Sequence, residues 1–160
     1  MKLTNFITLL LIFVLALSGF NCKSSEEPTE NNDPSGLVGA WIANAATPGT
    51  KMVFKEPNSG FEIDVVPLGA SVNVTLASDY NYSLTIVFPG EDPIVETGKA
   101  TFNGDKLTMT PDGVPEDAII FTYSRSGDLL TLHATDVEFS FDGENDVPAE
   151  LTLVLKKVVN

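Results

Sequence analysis

The chain has 160 residues, with 22 acidic against 9 basic side chains and a formal net charge of −13. That acid excess argues against nucleic acid and against adhesion to anionic lipid by surface charge, because both require basic patches. One cysteine and one histidine leave no disulfide framework and nearly exclude zinc, copper or iron sites built from those ligands.

The first predicted element is a leader. Lys2 precedes an apolar run from Phe6 to Leu17, and the small residues Ser18 and Gly19 follow. The run has 12 residues, short of the ~20 that a helix needs to cross the hydrocarbon core. A positive start, a short apolar segment and then small residues describe a secretory signal peptide over residues 1–21. Leu17-Ser18-Gly19-Phe20-Asn21-Cys22 resembles the lipobox of bacterial lipoproteins, with Gly19 and Asn21 where that box usually has leucine and a small residue. The resemblance implies cleavage before Cys22, a diacylglycerol on its thiol and acylation of its new amine. Each buried methylene contributes about 0.8 kcal/mol, so several acyl chains would hold the protein at a membrane effectively permanently. Lys23 stands where enterobacterial lipoproteins kept at the inner membrane carry aspartate. By that resemblance the expected address is the outer membrane, facing either the periplasm or the outside.

Residues 22–36 follow as a tether. Glu26, Glu27, Glu30, Asp33 and two prolines, with almost nothing apolar, cannot bury enough surface to offset chain entropy. Loss of residues 1–21 removes one charge, that of Lys2, and moves the net charge from −13 to −14. Residues 37–160 are long enough for one domain with its own core.

From Leu37 onward the apolar residues recur with period two, not with the spacing of a helix. Val72, Val74 and Leu76 oppose Asn73, Thr75 and Ala77, and Tyr82, Leu84, Ile86 and Phe88 oppose Ser83, Thr85 and Val87. Leu107 and Met109, Leu130 and Leu132, and Leu151, Leu153 and Leu155 repeat the pattern. Such alternation predicts antiparallel strands with one buried face. The strands fall near 38–45, 50–56, 60–66, 71–78, 81–88, 94–103, 105–110, 118–125, 128–135 and 150–158, with 137–142 as a further candidate. Asn103-Gly104-Asp105 and Ser126-Gly127-Asp128 mark the turns of two hairpins, 94–110 and 118–135. The fold class is all-β: an antiparallel up-and-down meander of eight to ten strands closing into a barrel, since an open sheet of that size must curl or split.

The strand Leu37-Val38-Gly39-Ala40-Trp41 with its Gly-x-Trp, the meander order, the Gly-Asp hairpins and the closing Leu151–Val158 strand together resemble a bacterial lipocalin-like domain. The resemblance implies that Trp41 plugs one end of the barrel. Lipocalins commonly lay an arginine over that tryptophan, and the closing strand here carries Lys156 and Lys157 instead. A barrel of about eight strands is just wide enough to be filled by side chains or to hold one small ligand. The expected inward set is Val72, Val74, Leu84, Ile86, Gly98, Ala100, Leu107, Met109, Leu130 and Leu132. It either lines an apolar cavity, with Gly98 and Ala100 as openings, or fills it.

Chemistry is sparse. His133 falls on the face opposite Leu132 and has no second histidine to join it. Ser124, Ser126 and Ser140 sit in no Gly-x-Ser-x-Gly elbow. Asp142, Glu144 and Asp146 alternate in one loop with the spacing of a calcium cup, but the Asp-x-Asp-x-Asp-Gly pattern with its distal glutamate is missing. Neither cofactor nor metal is implied, and the expectation is a non-enzymatic protein. Its partners would be a membrane through the lipid on Cys22, and then either a small hydrophobic ligand in the barrel or a protein at its surface. Mass spectrometry of the membrane-extracted protein is expected to find Cys22 acylated, and Cys22→Ser to move the protein into the soluble fraction.

Overall fold

The computed structural model describes residues 34–159. The expected signal peptide, Cys22 and residues 23–33 of the expected tether lie outside the described residues. Pro34–Leu37 form a 3-10 turn that buries Leu37. Ten strands follow: β1 (Gly39–Ala43), β2 (Lys51–Lys55), β3 (Glu62–Asp64), β4 (Ser71–Leu76), β5 (Asn81–Val87), β6 (Ile94–Asn103), β7 (Lys106–Pro111), β8 (Ile119–Ser126), β9 (Leu129–Ser140) and β10 (Asp146–Lys157).

Eight of these strands, β1 and β4 to β10, close into an antiparallel barrel, as the alternation predicts. From β4 to β10 each strand pairs with the next, and β10 returns to β1 through Trp41↔Lys157 and Ile42↔Lys156. The other two strands continue the same ribs. β2 lies on the edge of β10 that also takes β1, pairing Lys51↔Val154 through Lys55↔Glu150. β3 pairs with β2, and β4 pairs with β1. β1 and β2 are therefore one strand interrupted by residues 44–50, and β3 and β4 one strand interrupted by residues 65–70. Asp64 ties the two interruptions together, its carboxylate accepting the N–H of Met52 at 3.2 Å and of Val66 at 3.1 Å. The first expected strand, 38–45, is shorter because Asn44 turns the chain. Its side-chain oxygen accepts the Ala46 N–H at 3.0 Å and the Thr47 hydroxyl at 2.9 Å, an alternative to the ladder that asparagine favours.

Both expected hairpins are present. β6–β7 and β8–β9 close at Asn103↔Lys106 and Ser126↔Leu129, leaving two-residue turns, Gly104-Asp105 and Gly127-Asp128. Gly104 and Gly127 each have φ of 61°, the left-handed value that a twisted hairpin demands of its first turn residue and glycine adopts freely. The separate candidate at 137–142 is instead the continuation of β9. Ala134 pairs with Leu151 and Val137 with Ala149, so Thr135 and Asp136 together oppose Glu150 in a β-bulge. The bulge resets the alternation, which is why Leu130, Leu132 and Ala134 point inward before it and Val137 and Phe139 after it.

The core follows from that alternation. Trp41, Ala43 and Met52 on the first rib, Val72, Val74 and Leu76 on β4, and Leu151, Leu153 and Leu155 on β10 are all buried. At the end of the barrel formed by the 56–61 and 141–145 loops, Phe54 stacks on Phe139 at 3.8 Å between ring centroids, and Phe141 meets Phe139 edge-on. Gly98 is no opening. A Cβ built on it would sit 2.1 Å from the Thr110 carbonyl oxygen and 2.8 Å from the Tyr82 ring, so β6 and β7 approach here more closely than a side chain allows. Gly98→Ala is expected to destabilise the barrel by about 1–3 kcal/mol in denaturant melts, the usual cost of forcing atoms into a filled core.

Candidate functional site

Three places in the barrel bear on function: its plugged end, its interior and its outer wall. At the plugged end Trp41 is 1% exposed, and its indole N–H donates to the Leu37 carbonyl at 2.7 Å. Lys157 supplies the cation over the ring, with Nζ 5.3 Å from the centroid, and the same ammonium donates to the Gly36 carbonyl at 3.3 Å. An exposed cation–π contact of this kind contributes about 0.5–1 kcal/mol. A second cation reaches this end from an unexpected strand. The guanidinium of Arg125, on β8, lies against Gly36, where an added Cβ would come within 2.3 Å of Nη1. The spacing of the closing strand held no sign of this, because Arg125 is brought there only by the barrel's curvature.

Above the plug a small apolar void remains, about 20 Å³ in volume. Six of the expected inward residues line it: Val74, Ala100, Leu107, Met109, Leu130 and Leu132, together with Leu37, Trp41, Leu76 and Tyr82. The other four are elsewhere. Val72 is fully buried in the core, Leu84 and Ile86 are half-buried higher in the barrel, and Gly98 sits under the close approach of β7. A void needs about 10–15 Å³ to admit one water, so this one has the size of roughly a single water molecule. A fatty acid or a retinoid does not fit it without opening the core.

One polar pair enters the interior. Tyr82 and Glu96 are diagonal neighbours on β5 and β6, and the Tyr82 hydroxyl donates to Glu96 Oε1 at 2.5 Å. Burial first, then the hydrogen bond and charge of Glu96, hold the phenol well above its ordinary range. Alternation shows why the pair was missed in the sequence. Glu96 occupies the same face of β6 as Gly98 and Ala100, and an acid in that register reads as a solvated edge residue.

On the outer wall the three strands β7, β8 and β9 carry a groove of about 360 Å³. His133 lines it and is half-buried, its Nδ1 3.1 Å from the Thr152 hydroxyl across the β9–β10 ladder. It does face away from Leu132, as expected, and Thr122 pairs with it on β8. The 142–146 loop folds around Asp142. That carboxylate accepts the N–H groups of Glu144 and Asn145, both at 2.9 Å, and the Asn145 side-chain amide at 3.2 Å. These hydrogen bonds, and not a neighbouring cation, hold the Asp142 carboxyl well below the usual carboxylate range. Its oxygens thus accept from the N–H groups of its own loop, which they hold in a turn. Among the described residues no three acid, histidine or cysteine side chains converge as a metal site.

No protein-family model matches this chain, and no curated protein matches it either. The reading of its site therefore stands on geometry alone. The Tyr82–Glu96 pair makes a definite pH expectation. Below the ordinary phenol value of ~10 both the folded and the unfolded chain keep the Tyr82 proton, and the stability it contributes is fully present. Above ~10 the unfolded chain releases that proton while the folded barrel retains it, so stability falls as pH rises. Tyr82→Phe is expected to cost about 1–2 kcal/mol near neutrality and to flatten that alkaline slope, as measured by urea melts across the pH range.

Proposed function

We propose that this protein is a non-enzymatic lipoprotein of the bacterial envelope, held at the outer membrane by acyl chains on Cys22. Its lipocalin-like barrel acts as a recognition module through the outer surface and carries no stored ligand. The observation that supports this reading above the others is the size of the interior void, about 20 Å³, against the ~300–1,000 Å³ of ordinary small-molecule sites. The tether gives the barrel reach from the membrane, and the net charge of −14 after leader removal keeps a crowded surface protein soluble and repels anionic lipid heads.

A second reading rests on a different observation. Leu84 and Ile86 point into the barrel but stay half-buried, and Ile94, paired with Ile86, is 51% exposed. A small apolar ligand would seat at this mouth and not in the core. Titration with a fluorescent fatty acid separates the two. The surface-module reading expects no emission shift at micromolar protein. A saturable shift that Ile86→Trp abolishes would replace it with the carrier reading.

A further inference from the structure

The upper part of β9 has an unpaired edge in the barrel wall. The β8–β9 ladder runs from Ser126↔Leu129 to Thr122↔His133 and stops there. Both strands go on: β8 extends down to Ile119, and β9 runs past His133 to Ser140. From Ala134 to Ser140, β9 pairs with β10 on one edge, and among the described residues no strand pairs with its other edge. The outer-wall groove occupies this divergence, with Ile119 and Ile120 on the β8 side, Thr135 and Asp136 on the β9 side, and His133 at the closed end. An edge of this kind presents a row of backbone N–H and C=O groups, which is a template for another strand.

We propose that the upper edge of β9 is a docking site for an extended segment of a partner protein in which basic and apolar residues alternate. This rests on the reading of the barrel as a surface module and names the face it uses. The side-chain register sets the chemistry of the occupant. On the outer face an added strand would lie beside Asp136 and Glu138, both exposed, which favours lysine or arginine at alternate positions. On the inner face it would lie beside Val137, Phe139 and Ile119, all half-buried and packed against the core, which favours apolar residues between the basic ones. Ile120, 60% exposed on the β8 side, offers apolar contact to the stems of the basic side chains. A second copy of this chain is the wrong occupant, because pairing two β9 edges would bring Asp136 and Glu138 against their own kind.

The test uses the full chain in nonionic detergent micelles, with a short synthetic peptide of alternating lysine and valine as the probe. Two controls accompany it: the same peptide with glutamate for lysine, and the lysine peptide with alternate backbone nitrogens methylated. Hydrogen exchange should slow at residues 134–140 on addition of the lysine–valine peptide and at no other stretch, and neither control should reproduce it. Asp136→Lys combined with Glu138→Lys, both at exposed positions, should weaken the peptide roughly tenfold while near-ultraviolet circular dichroism stays unchanged. Protection that survives backbone methylation, protection spread over other acidic stretches, or none at millimolar peptide would overturn the proposal. So would unchanged affinity in the folded double variant. Any of these results without a fatty-acid shift rejects this edge but keeps the surface-module reading, and a fatty-acid shift rejects that reading itself.

Discussion

The architecture depends on the seam that joins the first rib to the last strand, Trp41↔Lys157 and Ile42↔Lys156 on β1 and then Lys51↔Val154 through Lys55↔Glu150 on β2, which turns an open meander into a barrel. Its β1 part is only two pairs long and contributes little by backbone hydrogen bonding alone. What holds it is the indole of Trp41, buried from all directions, anchored to the Leu37 carbonyl and capped by the Lys157 ammonium. An aromatic of this size removes about 150–250 Å² from water, more than any other side chain at the seam. The 3-10 turn at Pro34–Leu37 lies at the same end, burying Leu37, whose carbonyl takes the indole N–H of Trp41.

Closure at that end determines how the rest of the interior is used. Leucine, valine, methionine and tyrosine side chains from the converging strands meet above Trp41 and leave a space of about one water. The two interrupted ribs and the phenylalanine stack of Phe54 and Phe139 occupy the other end. A barrel filled from both ends presents its chemistry on the outside. There the strands are staggered, and the long β9–β10 hairpin runs beyond the end of its pairing with β8. The early end of the β8–β9 ladder is therefore a consequence of barrel geometry, and the bulge at Thr135–Asp136 sits on the edge it leaves. Bulges and charges are the usual means by which proteins discourage unwanted pairing at such an edge.

Electrostatics plays a different part. The ion pairs Lys55–Glu150 and Lys156–Asp128 both involve substantially exposed side chains and contribute little to stability. The large acid excess is spread over turns and outer faces and leaves the fold to apolar burial. Asp64 and Asp142 show the local use of an acid: each organises a bend by accepting backbone N–H groups.

The all-β class, the meander, both Gly-Asp hairpins and most of the inward set were legible in the sequence, because period-two alternation and left-handed glycine turns are local properties of the chain. That Trp41 would be buried was legible through its Gly-x-Trp neighbourhood, and the lysine standing over it through its place at the end of the closing strand. Other features have no local signature. Thr135 and Asp136 read as a strand ending, because a bulge shifts the alternation and only the pairing partner on β10 shows that the strand continues. Gly98 read as free space, yet the distance to the Thr110 carbonyl depends on how closely two strands approach. The inward Glu96, the arrival of Arg125 beside Gly36, the size of the void and the unpaired edge of β9 all follow from the stagger and curvature of the closed sheet. The sequence by itself determined which residues alternate and where the chain turns. How much room the closed wall leaves inside, and where that wall stays open, was decided only when distant strands came together.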